Sequence, residues 1–296
     1  MATESALKSS ADYGPMAGFR SMLRKENARW WGTRSLTFQL VLWFFVLNAL
    51  VALILFVVPA IDNGNASQQA ANITGTPVPA PSPDSVQESR QKVADSAMTI
   101  FFQLAGFAVF IGAVIYGHDT LLKERESGTA AWLLSKPLSR KAFVFAKVLA
   151  VVTGVLGIIL LAQALIAYAM CSLELGSPMP VLPFLAGLCV LALEIMFYLA
   201  MAIALSAFTL SRGITLGLPL ITGITGGFFL GIFQALGTLK ELGYLVPWNL
   251  TGYATSLATS TSLEADQYWP WPVLATAVLV LLFLGAAVMK FEQTEL

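Results

Sequence analysis

Few side chains in this 296-residue sequence are suited to acid–base chemistry within its apolar stretches. Glu194 is the only carboxylate deep inside a long apolar run. An ionised carboxylate is costly in hydrocarbon, so Glu194 must be neutralised or paired. It is a candidate intramembrane polar site, either for a proton or a substrate, or as one end of a structural hydrogen bond. Possible partners in other apolar runs are Asn48, Gln103, Gln163 and Gln234.

These groups do not form a catalytic constellation. Catalysis requires polar side chains that converge, and the sequence has neither a Ser/His nor a metal-ligand cluster. His118, the only histidine, is interpreted as a residue at the boundary of an apolar run. The nearest match to the phosphate-binding pattern G-x-x-x-x-G-K-[ST] begins at Gly112 and is apolar. An intramembrane protease or lipid transferase is therefore the weaker alternative, and we expect no catalytic residue, metal or cofactor in this chain.

The most informative charged segment is residues 119–141, DTLLKERESGTAAWLLSKPLSRK. Its pattern predicts a helix, a turn, a second helix and a stop. Asp119 suits a helix N-terminus, Gly128 a helix end and Thr129 the cap of the next helix, while Pro137 ends that helix before Ser139 caps the following one. We interpret the segment as a compact loop whose mixed charged and apolar surface suits a partner protein. The alternative is an interfacial turn stabilised by ion pairs.

The elements that must position this loop are membrane spans. The chain is 57% hydrophobic and 11% charged, with a mean hydropathy of +0.74, which is too apolar for an ordinary soluble domain. About 20 apolar residues in a helix cross the hydrocarbon core of a bilayer. Six such runs occur, at residues 37–58, 98–117, 142–170, 182–210, 214–236 and 271–289.

The basic residues predict the orientation of these spans. Fourteen of the 17 Lys and Arg residues lie on one side of the predicted spans, and only Arg90, Lys92 and Lys240 lie on the other. Loops rich in Lys and Arg stay in the cytoplasm. We therefore expect both termini and the 119–141 loop to be cytoplasmic, and residues 60–97 and 237–270 to be external. The formal net charge is zero, and we expect no nucleic-acid partner.

The segments outside the spans differ in character. Residues 1–15 are small and polar and predict a flexible tail, whereas residues 16–34 predict an interfacial helix with Phe19, Leu23 and Trp30 on one face. A simple positive flank of the first span is the alternative, and Glu26 interrupts the apolar face. The Pro, Ala and Ser residues of 60–97 favour extended chain. Residues 237–270 predict short external helices, with aromatic side chains at headgroup depth: Trp248, Tyr253, Tyr268, Trp269 and Trp271.

The chain resembles the permease subunits of ABC-2 type exporters over nearly its whole length. The resemblance rests on Glu124-Arg125-Glu126-Ser127-Gly128-Thr129, on Leu133-Leu134-Ser135-Lys136-Pro137-Leu138-Ser139-Arg140, and on Lys147. Ala146 stands where the family pattern usually has Gly. The resemblance implies an all-α integral membrane protein of the plasma membrane with six transmembrane helices, cytoplasmic termini, an N-terminal interfacial helix and short external helices before the last span.

The same resemblance implies partners and roles. It implies two copies of a soluble ATPase, which carries ATP and Mg²⁺, and a second permease copy. The coupling residues would be Asp119, Leu122, Lys123, Glu124, Arg125, Glu126, Gly128 and Thr129, in a loop shaped by Pro137, Ser139 and Arg140. The second and fifth spans would line the translocation path, with candidates Phe101, Gln103, Phe107, Gly223, Gly227 and Gly231. Static helix packing is the alternative for the glycines, and a scaffold that transmits force to external proteins is the alternative for the whole chain.

Overall fold

The computed structural model describes residue 16 and residues 18–60, 82–127, 139–236, 240–259 and 269–293. These residues form helices and connecting turns, without a strand. In chain order the helices are α1 (Phe19–Trp31), α2 (Thr33–Ala60), α3 (Pro83–Glu126), α4 (Arg140–Leu175), α5 (Val181–Phe208), α6 (Arg212–Leu236), α7 (Leu250–Ala258) and α8 (Trp271–Gln293), with a 3₁₀ turn at Lys240–Tyr244. Parts of α2 and α4 are π-helical.

Within the described ranges, six helices are long and apolar enough to cross a membrane, namely α2, α3, α4, α5, α6 and α8. This confirms the six spans predicted from the apolar runs. One end of the bundle, where α3, α5 and α8 finish, carries most of the Lys and Arg residues of these helices. We call it the basic end. The assignment of this end to the cytoplasm stays a prediction.

Helix α5 is the centre of the bundle. It packs against α3, α7 and α8, and 72% of its apolar stretch is buried, against 17% for α6. Its sequence is apolar on all sides, as expected of a helix surrounded by other helices. The outer helices α2, α6 and α8 bury only one side and present the other to the surroundings of the protein.

Helix α3 is much longer than the predicted span of 98–117. It begins at Pro83, after Ser82, whose side chain accepts a hydrogen bond from the Ser85 N–H, and Asp84 lies in its first turn. Such Ser-Pro-Asp sequences favour helix starts. The expectation of extended chain up to residue 97 is therefore wrong from Pro83 onward, while residues 61–81 lie outside the described ranges.

The same helix also corrects the prediction for the start of the charged loop. Asp119 does not begin a new helix but lies inside α3, which continues to Glu126. The physical reason is that no Gly or Pro separates Gly117 from Gly128, so nothing interrupts the helix. Ser139 caps α4 as predicted, since its hydroxyl accepts from the Ala142 N–H at 3.1 Å. Gly128, Thr129 and Pro137 lie outside the described residues.

Short helices before the last span are confirmed by α7 and the 3₁₀ turn, yet α7 is deeply packed. It lies between α3 and α5, and a Cβ added to Gly106 or Gly187 would overlap it. Tyr253 is buried and contacts the Trp269 ring, so it does not face the surroundings of the protein, while its predicted headgroup depth stays a prediction. Tyr268 lies outside the described residues.

Candidate functional site at the basic end

Helix α1 is held against α4 by its apolar face. Met22 and Trp30 are buried, and Phe19 and Leu23 pack against the core, which confirms the predicted face. The Trp30 ring lies directly on Gly154, where a Cβ would overlap the indole. It also contacts the Tyr116 ring of α3 at a centroid distance of 4.7 Å. Helix α1 is therefore part of the bundle, whereas its predicted location in the membrane interface stays a prediction.

A buried lysine joins three helices beside this contact. The Lys147 Nζ of α4 lies 3.0 Å from a carboxylate oxygen of Glu26 on α1 and 3.1 Å from one of Glu124 on α3. Only 7% of the lysine side chain is exposed. We call these three residues the Lys147 cluster. Glu26, which interrupts the apolar face in the sequence, thus has a partner inside the protein.

The next residue of α3 binds the end of α5. The Arg125 guanidinium donates to the carbonyl oxygens of Ser206 and Ala207 at 2.8 and 3.0 Å. The last carbonyls of a helix have no partner within the helix, and a basic side chain there satisfies them and favourably opposes the helix dipole. Arg125 therefore fixes α3 to the C-terminus of the central helix.

The last residue of α3 is paired with the first residue of α6. Glu126 and Arg212 form a two-pronged ion pair, with Nη2–Oε2 at 2.5 Å and Nε–Oε1 at 3.1 Å. We call Glu124, Arg125 and Glu126 the α3 anchor. Its three consecutive side chains contact α4, the end of α5 and the start of α6, and Lys147 extends the link to α1. A displacement of this end of α3 therefore acts on all of them.

The structure divides the predicted coupling residues into two groups. Leu122 is buried and the α3 anchor contacts the protein itself, whereas Lys123 is exposed and Asp119 is partly exposed beside His118. Arg140 donates to the Glu292 carbonyl oxygen near the end of α8 at 2.7 Å. The described residues at the two ends of this loop therefore make internal contacts as well as presenting exposed side chains, and the choice between a partner surface and an ion-paired turn stays open.

The intramembrane carboxylate has a partner that the sequence did not indicate. The Thr251 hydroxyl of α7 donates to Glu194 at 2.6 Å. The three expected amides whose side chains are described do not bind Glu194. Asn48 binds Gln163 at 2.9 Å, and Gln103 lies 3.4 Å from Thr255. The Gln234 side chain lies outside the described residues. The structure thus favours the structural hydrogen bond, which anchors α7 to α5.

The candidate path residues separate by exposure. Phe101 is buried in the core of the chain and does not reach the exposed face of α3, and its place along a translocation path stays a prediction. Gln103 and Phe107 are exposed on α3. On α6, Gly223 packs against Phe110, whereas no atom lies within 4 Å of a Cβ added to Gly227 or Gly231.

The described residues contain no group of three His, Cys, Asp or Glu side chains that could hold a metal ion. Four partners at the basic end were not predicted from the sequence, namely Glu26, Arg212, the carbonyl oxygens at the end of α5 and the Glu292 carbonyl oxygen. The available signal was the acid on the apolar face of α1, since a carboxylate on a buried face requires a cation. No sequence signal indicated the carbonyl contacts.

Comparison with known proteins agrees with this architecture. None of the curated proteins matches the chain significantly. A family model described as "ABC-2 family transporter protein" matches residues 40–296, which include all six spans except the start of α2. The chain therefore belongs to the ABC-2 transporter family.

Proposed function

We propose that this chain is the permease subunit of an ATP-driven exporter in the plasma membrane, and that a separate soluble ATPase drives it through the loop between α3 and α4. ATP and Mg²⁺ are assigned to that partner. The observation that carries the proposal is the α3 anchor, whose three consecutive side chains join the start of the loop to α4, α5 and α6, and through Lys147 to α1. An ATPase that displaces the loop would displace these helices together.

Rigidity supports this role for α3. At about 1.5 Å per residue, its 44 residues extend over about 66 Å, roughly twice the hydrocarbon thickness. A continuous helix transmits displacement along its axis, whereas a flexible connection would absorb it. In this proposal Lys123 and Asp119, with Gly128 and Thr129, contact the ATPase, and the α3 anchor passes the movement into the membrane.

The proposed path lies between two copies of the chain. Gln103 and Phe107 of α3 and Gly227, Phe228 and Gly231 of α6 are exposed. The two stretches adjoin, because Gly223 contacts Phe110 one turn away. An exposed amide within a span is unfavourable against lipid, and small residues allow helices to approach closely. Both features favour a second permease copy and a polar path over lipid at this face.

The test is purification of the affinity-tagged chain from its native membrane. We expect it to bring down a protein with an ATP-binding P-loop, and its absence would contradict the proposal. The double variant Glu126→Gln/Arg212→Gln should still bind the ATPase. Binding of this variant should no longer change the rate at which the ATPase hydrolyses ATP. The matched control is Glu88→Gln/Lys92→Gln, which removes an exposed ion pair at the other end of the same helix. Equal effects of the two doubles would reject the role of the α3 anchor.

A force-transmitting scaffold is the second candidate. It is favoured by the first three turns of α3, which are almost entirely exposed beyond the apolar part of the same helix. A rigid helix that protrudes from both sides of the membrane could move an external partner instead of a solute. Substitution of Val86 by Glu in this segment should leave a transporter active and impair only the binding of an external protein.

A further inference from the structure

Helix α1 presents a basic face on the side that turns away from α4. Its four basic side chains are all exposed: Arg20, Arg24, Lys25 and Arg29. Arg34, at the second residue of α2, is exposed as well. Within the described part of the chain, these side chains have neither an ion pair nor a hydrogen bond to the protein. The charge of Arg20, Arg24 and Lys25 is therefore available to a ligand outside the bundle, whereas Arg29 borders a cleft that Glu26, Asp119 and Glu124 also line.

The one acid of α1 does not reduce this charge. Glu26 faces the interior, where Lys147 binds it at 3.0 Å. A surface helix usually places acids beside its bases, where i,i+4 pairs stabilise it. Here the acid is neutralised by another helix, so the exposed side of α1 carries basic charge alone.

The position of this face is fixed by the next helix. Gly32 separates α1 from α2, and α2 begins its membrane span at Thr33. The C-terminal part of α1 therefore lies where the chain enters the bilayer. Trp31 is 48% exposed there and lines a shallow cleft with Arg24 and Asn27. Tryptophan favours the headgroup region because its ring is apolar and its N–H is polar.

We propose that the basic face of α1 binds the headgroups of acidic phospholipids in the leaflet at the basic end. Guanidinium and ammonium groups match phosphate in charge and hydrogen bonding. A basic side chain close to an acidic membrane surface strengthens binding roughly fivefold, and salt weakens this effect by screening. The Trp31 side chain and the start of α2 place this face beside the bilayer, so the expected ligand is a lipid headgroup rather than a free phosphate ion.

The experiment measures tryptophan quenching in the purified full-length chain. The chain is reconstituted in vesicles of phosphatidylcholine with a minor fraction of phosphatidylglycerol, and the bromine quencher is placed on the acyl chains of one lipid or the other, at equal amounts. The contribution of Trp31 is the difference in fluorescence quenching between the native chain and the Trp31→Phe variant. We expect brominated phosphatidylglycerol to quench Trp31 at least about twofold more than brominated phosphatidylcholine at low salt, given the per-residue effect above.

The variant Arg20→Gln/Arg24→Gln/Lys25→Gln should lose this preference, and Arg20→Lys/Arg24→Lys should keep it. Thermal unfolding of each variant verifies that the helices are intact. Equal quenching by the two lipids in the native chain, or an unchanged preference in the triple variant, would overturn the proposal. The proposal would also be overturned if inorganic phosphate abolished the preference for phosphatidylglycerol while chloride at the same ionic strength did not. That result would mean that the basic face binds free phosphate.

Discussion

The Lys147 cluster joins three helices through one buried cation. A lysine with 7% of its side chain exposed is tolerated because two carboxylates replace the water around its ammonium group. Each carboxylate comes from a different helix, so the ion pairs also fix α1 and α3 relative to α4. The resemblance pointed to Lys147 and Glu124, but neither pattern nor spacing related them to Glu26.

Substitution of Lys147 by Met should therefore be destabilising. It leaves Glu26 and Glu124 close together without a counter-charge, and we expect the free energy of unfolding to fall by about 3 kcal/mol. Addition of Glu26→Gln to the Met variant should restore part of the loss, because it removes one of the two facing charges. Chemical unfolding of the purified chain in detergent measures both effects. A Lys147→Met variant as stable as the native chain would show that the cluster is not a structural link.

The hydrogen bond between Thr251 and Glu194 gives a second prediction at this scale. Thr251→Val keeps the shape of the side chain but removes the hydroxyl donor, and the loss of a hydrogen bond to a buried carboxyl group costs about 1–3 kcal/mol. Thr251→Ser should retain most of the stability. The matched control is Thr222→Val on α6, because the Thr222 hydroxyl bonds only its own helix. Equal midpoints of thermal unfolding for the two Val variants would contradict this role of Thr251.

At the scale of elements, the sequence predicted what depends on local pattern. The six apolar runs became six spans, and the Ser139 cap and the buried face of α1 lie where their residue types indicated. The errors concern where α3 ends and how deeply α7 is buried in the protein. The break expected at Asp119 does not occur in a stretch without Gly or Pro, and α7 is buried because Gly106 and Gly187, far apart in sequence, make room for it. Such close approaches depend on tertiary packing, which no local pattern encodes.

The packing of α1 on α4 can be tested at Gly154. A Cβ at this position would overlap the Trp30 ring, so Gly154→Ala should push α1 outward and cost about 1–3 kcal/mol. Gly285→Ala on α8 is the control, because no atom lies within 4 Å of its added Cβ. Hydrogen exchange of the α1 amides should increase in the first variant and not in the second. Unchanged exchange in Gly154→Ala would mean that α1 is not held by this contact.

At the scale of the whole molecule, burial is uneven in a way that composition does not reveal. Helix α5 is largely enclosed, whereas α8 is about one-fifth buried, although the apolar stretches of the two helices have nearly equal mean hydropathies of 2.4 and 2.5. Lipid tails and neighbouring helices both select apolar side chains, so the sequence cannot tell a surface that faces lipid from one that faces another protein. The open glycines of α6 support the proposed second copy at this face, because small residues allow another helix to approach closely.

The proposed contact between two copies therefore predicts which exposed helix forms a cross-link. In a Cys189→Ser background, which removes the exposed native thiol, Gly227→Cys should form a disulfide-linked dimer in native membranes treated with an oxidant. A disulfide requires the two Cα atoms to approach within about 7 Å, which α6 permits because Gly227 is open. The control is Leu281→Cys on α8, which is also exposed but lies outside the proposed contact. If α8 cross-links as readily as α6, or if Gly227→Cys remains monomeric, the second copy does not bind at the α6 face.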